Sequence, residues 1–247
     1  MRRRVFLIGL GSLVIAVLAL LIAPFRLKIF REEDVRKDEL RGGERMKLPE
    51  PSYKSQVSIE EAILRRRSIR EYEPEPITLS QLSQILWAAQ GITQKSTGFR
   101  AAPSAGATYP LEVYVVVKEG GVKDLPAGVY HYLPSSHELE LVKLGDYTVD
   151  LMKAALGQGW VGDAAINLVI NAIYERTTRR YGDRGIRYVH MEVGHVGQNV
   201  YLQCISLNLA CVVIGAFYDE EVKKIVGGMG EPLYIIPVGV KIGGWRA

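Results

Sequence analysis

The hydrophobic pattern changes character along the chain. From residue 5 to 25 it is continuous, 21 positions without a charge. As a helix this run would measure about 31 Å at ~1.5 Å per residue, enough to span the hydrocarbon core of a bilayer. Residues 32–57 are charged and polar, with Pro49 and Pro51, and read as a linker. Beyond residue 57 helical and strand periods interleave, as in a folded domain.

Ser58 with Glu61 three residues on has the form of a capping box. The helix it opens is expected to turn Ile59, Ala62 and Ile63 inward and to end near Arg67. Thr78 caps a second helix, with Leu79, Leu82, Ile85, Leu86 and Ala89 at helical spacing and Gly91 closing it. Residues 111–117 (LEVYVVV) are β-branched and aromatic, a strand. Residues 128–133 and 139–142 form a hairpin around Pro134-Ser135-Ser136. A helix over 146–156, a buried strand over 165–173, a long helix over 186–207, a strand over 211–217, a short helix over 219–226 and a last strand over 233–240 complete the pattern. Mixed elements with hairpin connections predict the α+β class, a mainly antiparallel sheet flanked by helices, behind an N-terminal transmembrane helix. The expected division is an anchor or export signal at 1–31, a linker at 32–57 and one domain at 58–247.

The long helix carries an unusual polar stripe. Val189, Val193, Val196, Val200, Cys204 and Leu207 make an apolar face, while Glu192, His195, Asn199 and Gln203 line another. His195 apart, nothing between Val193 and Tyr218 is ionised at neutral pH. A solvated face would carry Lys or Glu, so a neutral stripe implies burial against a cofactor or a partner subunit, with Gly194 and Gly197 admitting a second backbone. A homodimer is the expectation; a core helix of a monomer is the alternative. The polar groups argue against a second membrane span.

Charge changes the picture once it is divided. Residues 1–31 hold Arg2, Arg3, Arg4, Arg26, Lys28 and Arg31 and no acid. Without those six, 25 of the 31 basic residues stand against 27 acids, so the remainder is near −2. A domain without excess positive charge is a poor nucleic-acid binder. The apolar run is long for a signal peptide and lacks a small-residue cleavage site, which favours an uncleaved anchor. Basic residues flank it on both sides and leave its orientation open. Arg3-Arg4-Val5-Phe6-Leu7 resembles a twin-arginine export signal, which would put the domain outside the cytoplasm; an ordinary anchor with the domain on the cytoplasmic face stays open. Cys204 and Cys211 lie in an apolar stretch without zinc-ligand spacing and read as buried free thiols.

Three motifs carry the chemistry. Arg66-Arg67-Ser68-Ile69-Arg70 follows the opening helix. Pro103-Ser104-Ala105-Gly106-Ala107-Thr108-Tyr109-Pro110 leads into LEVYVVV. Gly194-His195-Val196-Gly197-Gln198-Asn199 lies on the long helix, followed by Ile214-Gly215-Ala216-Phe217. In this order, over roughly residues 55–243, they resemble the nitroreductase superfamily. Gly128-Val129-Tyr130-His131-Tyr132 with Leu139-Glu140-Leu141 most resembles its SagB-type branch, whose dehydrogenases oxidise azoline rings in peptides. The resemblance implies bound FMN at a dimer interface, with a small molecule or peptide as substrate. It implies flavin contacts at Pro103, Ser104, Ala105, Gly106, Ile214 and Gly215, and a phosphate-binding cation at Lys241, where a surface lysine is the plain alternative.

The residues independently suit that cofactor. A phosphate wants the planar fork of guanidinium, and Arg66, Ser68 and Arg70 alternate so that an extended segment would point them to one side, with Arg67 between. A solvated charge run suited to a helix C-terminus is the alternative. Pro103–Gly106 is a small-residue turn that a flat ring can approach. Azoline dehydrogenases carry Lys-Tyr where this chain has Arg180-Tyr181. Tyr181 can act as an acid or position a substrate, whereas an arginine stays protonated and is no general base. Glu192-x-x-His195 is half of a di-iron pattern without its second half, so no metal is expected. The sequence therefore predicts a membrane-anchored FMN oxidoreductase, with a non-catalytic flavin- or ligand-binding domain as the rival.

Overall fold

The computed structural model describes residues 42–245. The apolar run, the twin arginines and the first part of the expected linker lie outside them. Strands β1 (Arg45–Lys47), β2 (Tyr72–Glu73), β5 (Leu111–Val117), β6 (Gly128–Leu133), β7 (Glu138–Leu144), β8 (Ile166–Ala172), β9 (Leu209–Cys211) and β10 (Glu231–Lys241) build one sheet. It runs β1-β7-β6-β5-β8-β10-β2, with β9 also on β10, and every strand pair in it is antiparallel. The short pair β3 (Ile92–Gln94) and β4 (Phe99–Arg100) stands apart. The expected α+β class and mainly antiparallel sheet are what the chain forms.

Helices α1 (Ile59–Arg65), α2 (Leu79–Gln90), α3 (Thr148–Ala154), α4 (Gly159–Asp163), α5 (Glu175–Tyr181), α6 (Arg184–Ser206) and α7 (Asp219–Val226) flank it. Tyr114, Val116, Val129, Val169 and Ile235 of the sheet pack with Leu151 of α3, Val161 of α4 and Val222 and Val226 of α7. Val113, Val115 and Val117, of opposite parity on β5, are equally buried and must face a second layer. The centre of that layer is α6, which packs on α1, α2, α5, β9 and β10. None of the described helices is long and apolar enough to cross a membrane.

Four expectations change. Part of the 32–57 linker belongs to the domain: β1 pairs β7 through Arg45 and Glu140, Leu48 is buried, and the Ser52 backbone is clasped by the Gln84 amide at 2.7 and 3.1 Å. The helix from Ser58 does not turn its isoleucines inward, since Ile59, Ile63 and Leu64 are exposed and only Ala62 is buried. Its capping box is half made: Ser58 accepts from the Glu61 N–H at 3.1 Å, but the Glu61 carboxylate pairs with Arg65 at 2.7 Å. The complete box sits at Thr78 and Gln81. The strand expected over 211–217 is reduced to β9 and a bridge between Ile214 and Ile235.

The polar stripe of α6 finds partners inside this chain. Asn199 donates to the Ala88 carbonyl at 3.0 Å and Gln203 accepts from Gln84 at 3.1 Å, both on α2. Gly197 makes room for the Val213 and Tyr234 side chains, 3.3 and 3.4 Å from where its Cβ would stand, rather than for a second backbone. Gly194 faces open space. Asn199 and Gln203 thus need no partner subunit to be satisfied.

Candidate active site

The arginine segment leaves α1 extended and is tied to β9 by the Ile69 N–H on the Cys211 carbonyl. Arg66 and Ser68 meet on one residue, Tyr201 of α6. The Arg66 guanidinium lies over its ring, 5.1 Å from the centroid, and the Ser68 and Tyr201 hydroxyls are 2.8 Å apart. The Tyr201 oxygen also accepts the Val213 N–H at 3.0 Å, just before Ile214 and Gly215. Arg70 diverges to Trp160 of α4, 5.3 Å from its ring, so the three alternating residues do not converge on one point. Arg67 turns back onto the end of α1, donating to the Leu64 and Arg66 carbonyls, the helix-end role open to a cation. Lys241 sits over Trp245 and donates to the Ile242 carbonyl. Among the described residues neither Arg66 nor Arg70 has a carboxylate partner, and the buried Trp160 Nε1 beneath Arg70 makes no hydrogen bond. Guanidiniums resting on rings instead of acids fit the binding of a phosphate.

The second motif is strained. Gly106, Ala107 and Tyr109 have φ of 61°, 53° and 45°. For residues with a Cβ this region costs about 1–2 kcal/mol each. The turn is held on every side. Ser104 accepts the Ala107 N–H on its carbonyl and the Tyr109 N–H on its hydroxyl, at 3.1 and 2.9 Å. Thr108 donates to the Ala105 carbonyl and shares a hydrogen bond with Thr177 of α5. Arg176 donates to the Tyr109 carbonyl and Arg180 to that of Gly106, both at 3.1 Å. The Arg100 N–H donates to the Tyr109 hydroxyl, and its guanidinium covers that ring at 4.6 Å. A Cβ on Gly106 would stand 2.5 Å from the Tyr181 hydroxyl and 2.8 Å from Arg180 Nη1. The Arg180-Tyr181 pair and the small-residue turn are therefore one cluster. Pro103 and Gly106 form its exposed lip.

Beneath the turn lies a floor of charges that the motifs did not announce. Glu112 pairs with Arg176 at 2.5 Å and with His131 at 2.7 Å. Burial would raise its carboxyl, but the His131 hydrogen bond and the Arg176 charge outweigh burial and hold it low. Arg100 donates to Gln90 at 3.1 Å. Glu192, 3% exposed, is buried beside Ser104 and Gln90. Burial pushes its carboxyl up to about 7, opposed by those two neighbours and the Arg100 charge. Its Oε1 and Gln90 Nε2 lack hydrogen-bond partners. Glu192 and His195, one turn apart on α6, differ in exposure, one buried and one exposed. Glu192 was visible in the sequence as part of a polar stripe; Tyr201, Trp160 and Arg100 gave no signal, because stacking leaves no spacing to read.

The nitroreductase family model matches residues 63–240. A protein of Methanocaldococcus jannaschii provisionally named a nitroreductase is 48% identical over 200 residues, 81% of this chain and 99% of that one. The microcin B17-processing protein McbC of Escherichia coli is 34% identical over 129 residues, covering 51% of this chain and 47% of McbC. A solved structure of the E. coli microcin synthetase McbBCD complex with truncated pro-MccB17 bound aligns with a TM-score of 0.62 at 25% identity, over 85% of this chain and 80% of the matched one. The SagB-type likeness read from the hairpin thus has its counterpart in McbC. With the family model covering both site motifs and the archaeal relative matched almost end to end, the chain belongs to the nitroreductase family of oxidoreductases.

Proposed function

We propose that the protein is an FMN-dependent oxidoreductase that passes a hydride or electron pair through bound flavin to a small-molecule or peptide substrate. The observation that carries this is the pair of guanidiniums, Arg66 and Arg70, without an acid partner among the described residues and resting on Tyr201 and Trp160. Arg66 and Ser68, which meet at Tyr201, would hold the phosphate, with Arg70 leaving the Trp160 ring to join them, and the turn from Pro103 to Gly106 would meet the ring edge, with Ile214 and Gly215 beside it. FMN supplies the redox chemistry when bound; the protein's part is to orient it and exclude side reactions. Tyr181, over the turn, is the candidate acid or substrate-positioning group. Arg180 holds the Gly106 carbonyl and serves as a fixed donor. A peptide substrate is supported by the McbC likeness, since that protein processes a microcin.

The reading extends to a homodimer. The polar stripe no longer argues for it, but the exposed Ile59, Ile63 and Leu64 on α1 do, because a second copy would cover them. The two motif groups are built from different elements, as they would be if each chain lent one group to its partner's site. Residues 1–31 would anchor the enzyme in a membrane, with the domain outside the cytoplasm through the twin-arginine route. Full-length protein purified in detergent should be yellow, bleach on reduction, and release FMN rather than FAD on denaturation. A colourless protein that cannot be loaded with FMN sinks the proposal. Protease added to intact cells should reach the domain; complete protection would refute export.

A further inference from the structure

We propose that the corner where α5 meets α6 is a docking surface for an acidic stretch of a peptide substrate, which Arg179, Arg184 and Arg187 hold beside the Arg180-Tyr181 pair. This deepens the proposed function and rests on its reading that Tyr181 faces the substrate.

The corner crowds its charges. Gly182, at φ 58°, ends α5 and turns the chain into α6. Gly185 is buried, and a Cβ there would stand 2.9 Å from the Thr178 backbone, so α6 starts directly against α5. Residues 175–191 carry five arginines against Glu175 and Asp183, in a domain whose overall charge is slightly negative. Arg176 is engaged by Glu112 and the Tyr109 carbonyl, and Arg180 by the Gly106 carbonyl. Arg179, Arg184 and Arg187 are exposed and, among the described residues, make no ion pair and no side-chain hydrogen bond.

Other helices of the molecule treat their exposed cations differently. Arg65 lies on Glu61 at 2.7 Å in α1, and Lys224 on Glu221 at 2.9 Å in α7. Glu175 with Arg179 and Asp183 with Arg187 have the spacing of such pairs and stay apart. Arg184 and Arg187 also stand at the start of α6, whose first turn holds no acid, where the helix dipole disfavours a cation. Like charges placed so are relieved by carboxylates, which a guanidinium fork accepts two oxygens at a time. The surface runs on into the site. The Tyr181 ring meets Tyr188 of α6 edge-on, 5.1 Å between centroids, and Ile186 and Met191 are exposed among the arginines, a footing for apolar side chains. An extended peptide can lie along this surface with one residue at Tyr181. A bilayer, the other anionic occupant, is flat and would lie across the exposed lip of Pro103 and Gly106.

The test is binding of fluorescein-labelled decaglutamate to the full-length protein in uncharged detergent, followed by anisotropy at about 50 mM salt, where exposed charges still act over about 10 Å. Wild type should bind it. Arg184→Glu with Arg187→Glu should weaken binding at least about tenfold, whereas Lys54→Glu with Lys95→Glu, an equal change of charge at other exposed positions, should weaken it less than about twofold. No binding by wild type, no effect of the arginine pair, or an equal effect of the lysine pair overturns the inference. Should the arginine pair not fold, Arg187→Gln alone should weaken binding about threefold, and an unchanged affinity overturns the inference. Phosphatidylglycerol in mixed micelles should displace the peptide no better than phosphatidylcholine does; preferential displacement assigns the corner to lipid and overturns the inference. Flavin content is read on the same samples. A colourless protein that cannot be loaded with FMN overturns the flavin reading, whereas a yellow protein that ignores decaglutamate overturns this inference alone.

Discussion

The two halves of the candidate site are stabilised in opposite ways. The arginine segment is held loosely: Arg66 and Arg70 lie on aromatic faces, contacts worth about 0.5–1 kcal/mol each when exposed, which a phosphate can outbid. The turn from Pro103 to Pro110 is held rigidly, with three residues at positive φ, a hydrogen bond accepted by Ser104 and others donated by Arg100, Arg176 and Arg180. A loosely held charge can reach for a ligand; a strained turn presents a fixed surface to one. The lesson is that affinity and geometry are delegated to different segments, so mutations in them should separate.

The largest separation should come from Arg66→Ala combined with Arg70→Ala. FMN affinity should drop by about 3–6 kcal/mol, at ~1.5–3 kcal/mol per charged hydrogen bond, while the melting temperature of the flavin-free protein barely moves. A loss of stability as large as the loss of affinity would break the comparison. Next comes Glu192, on the rigid side. Its carboxyl sits at about 7 when folded and near 4.3 in an unfolded chain. The folded state therefore holds a proton that the unfolded state has released, and stability falls as pH rises through that window, levelling off above about 7. Denaturant unfolding of flavin-free protein should show about 2 kcal/mol less stability at about pH 8 than at about pH 5.5 from this group. Glu192→Gln should remove that slope, and an unchanged slope would show that the carboxyl is already ionised.

A smaller effect, near 1–2 kcal/mol, is expected from Gly106→Ala, which puts a Cβ at positive φ against Tyr181 and Arg180. Gly215→Ala sharpens the contrast, since its Cβ would approach only Tyr234, at 3.9 Å, and unfolding should not detect it. The smallest concerns Tyr181→Phe. Flavin content should be unchanged and turnover should fall about tenfold, near 1.4 kcal/mol in the barrier. Loss of flavin in that variant would place Tyr181 in cofactor binding instead of on the substrate side.

What the sequence revealed divides along the same line. The alternation of Arg66 and Ser68 was legible and leads to one tyrosine, because an extended segment has a fixed period. Helix α7 and strand β5 kept their expected limits, since each has a strong pattern of its own. Burial of the α6 stripe was legible only in part: Glu192 is buried, Asn199 and Gln203 are half-buried against α2 of the same chain, and His195 is exposed, because a neutral polar face does not say what covers it. Ile59 and Ile63 stand four residues apart, as on an inward face, yet periodicity cannot tell a core from an unpartnered surface. Strand β1 has three residues, too few to show a period. The strain at Ala107 and Tyr109 was invisible, because neither is a glycine and two of the turn's supports, Arg176 and Arg180, lie far along the chain.

Strand β10 has a consequence for how the polypeptide is made. It follows every other strand in the chain and yet lies between β8 and β9. While the ribosome is still producing the preceding helix, β8 has one unoccupied edge, and its seven residues, all buried in the finished molecule, have nothing to pair with there. An open apolar edge recruits other chains. A nascent chain stalled before Glu231 should therefore depend on chaperones, and the sheet closes only after translation has passed β10.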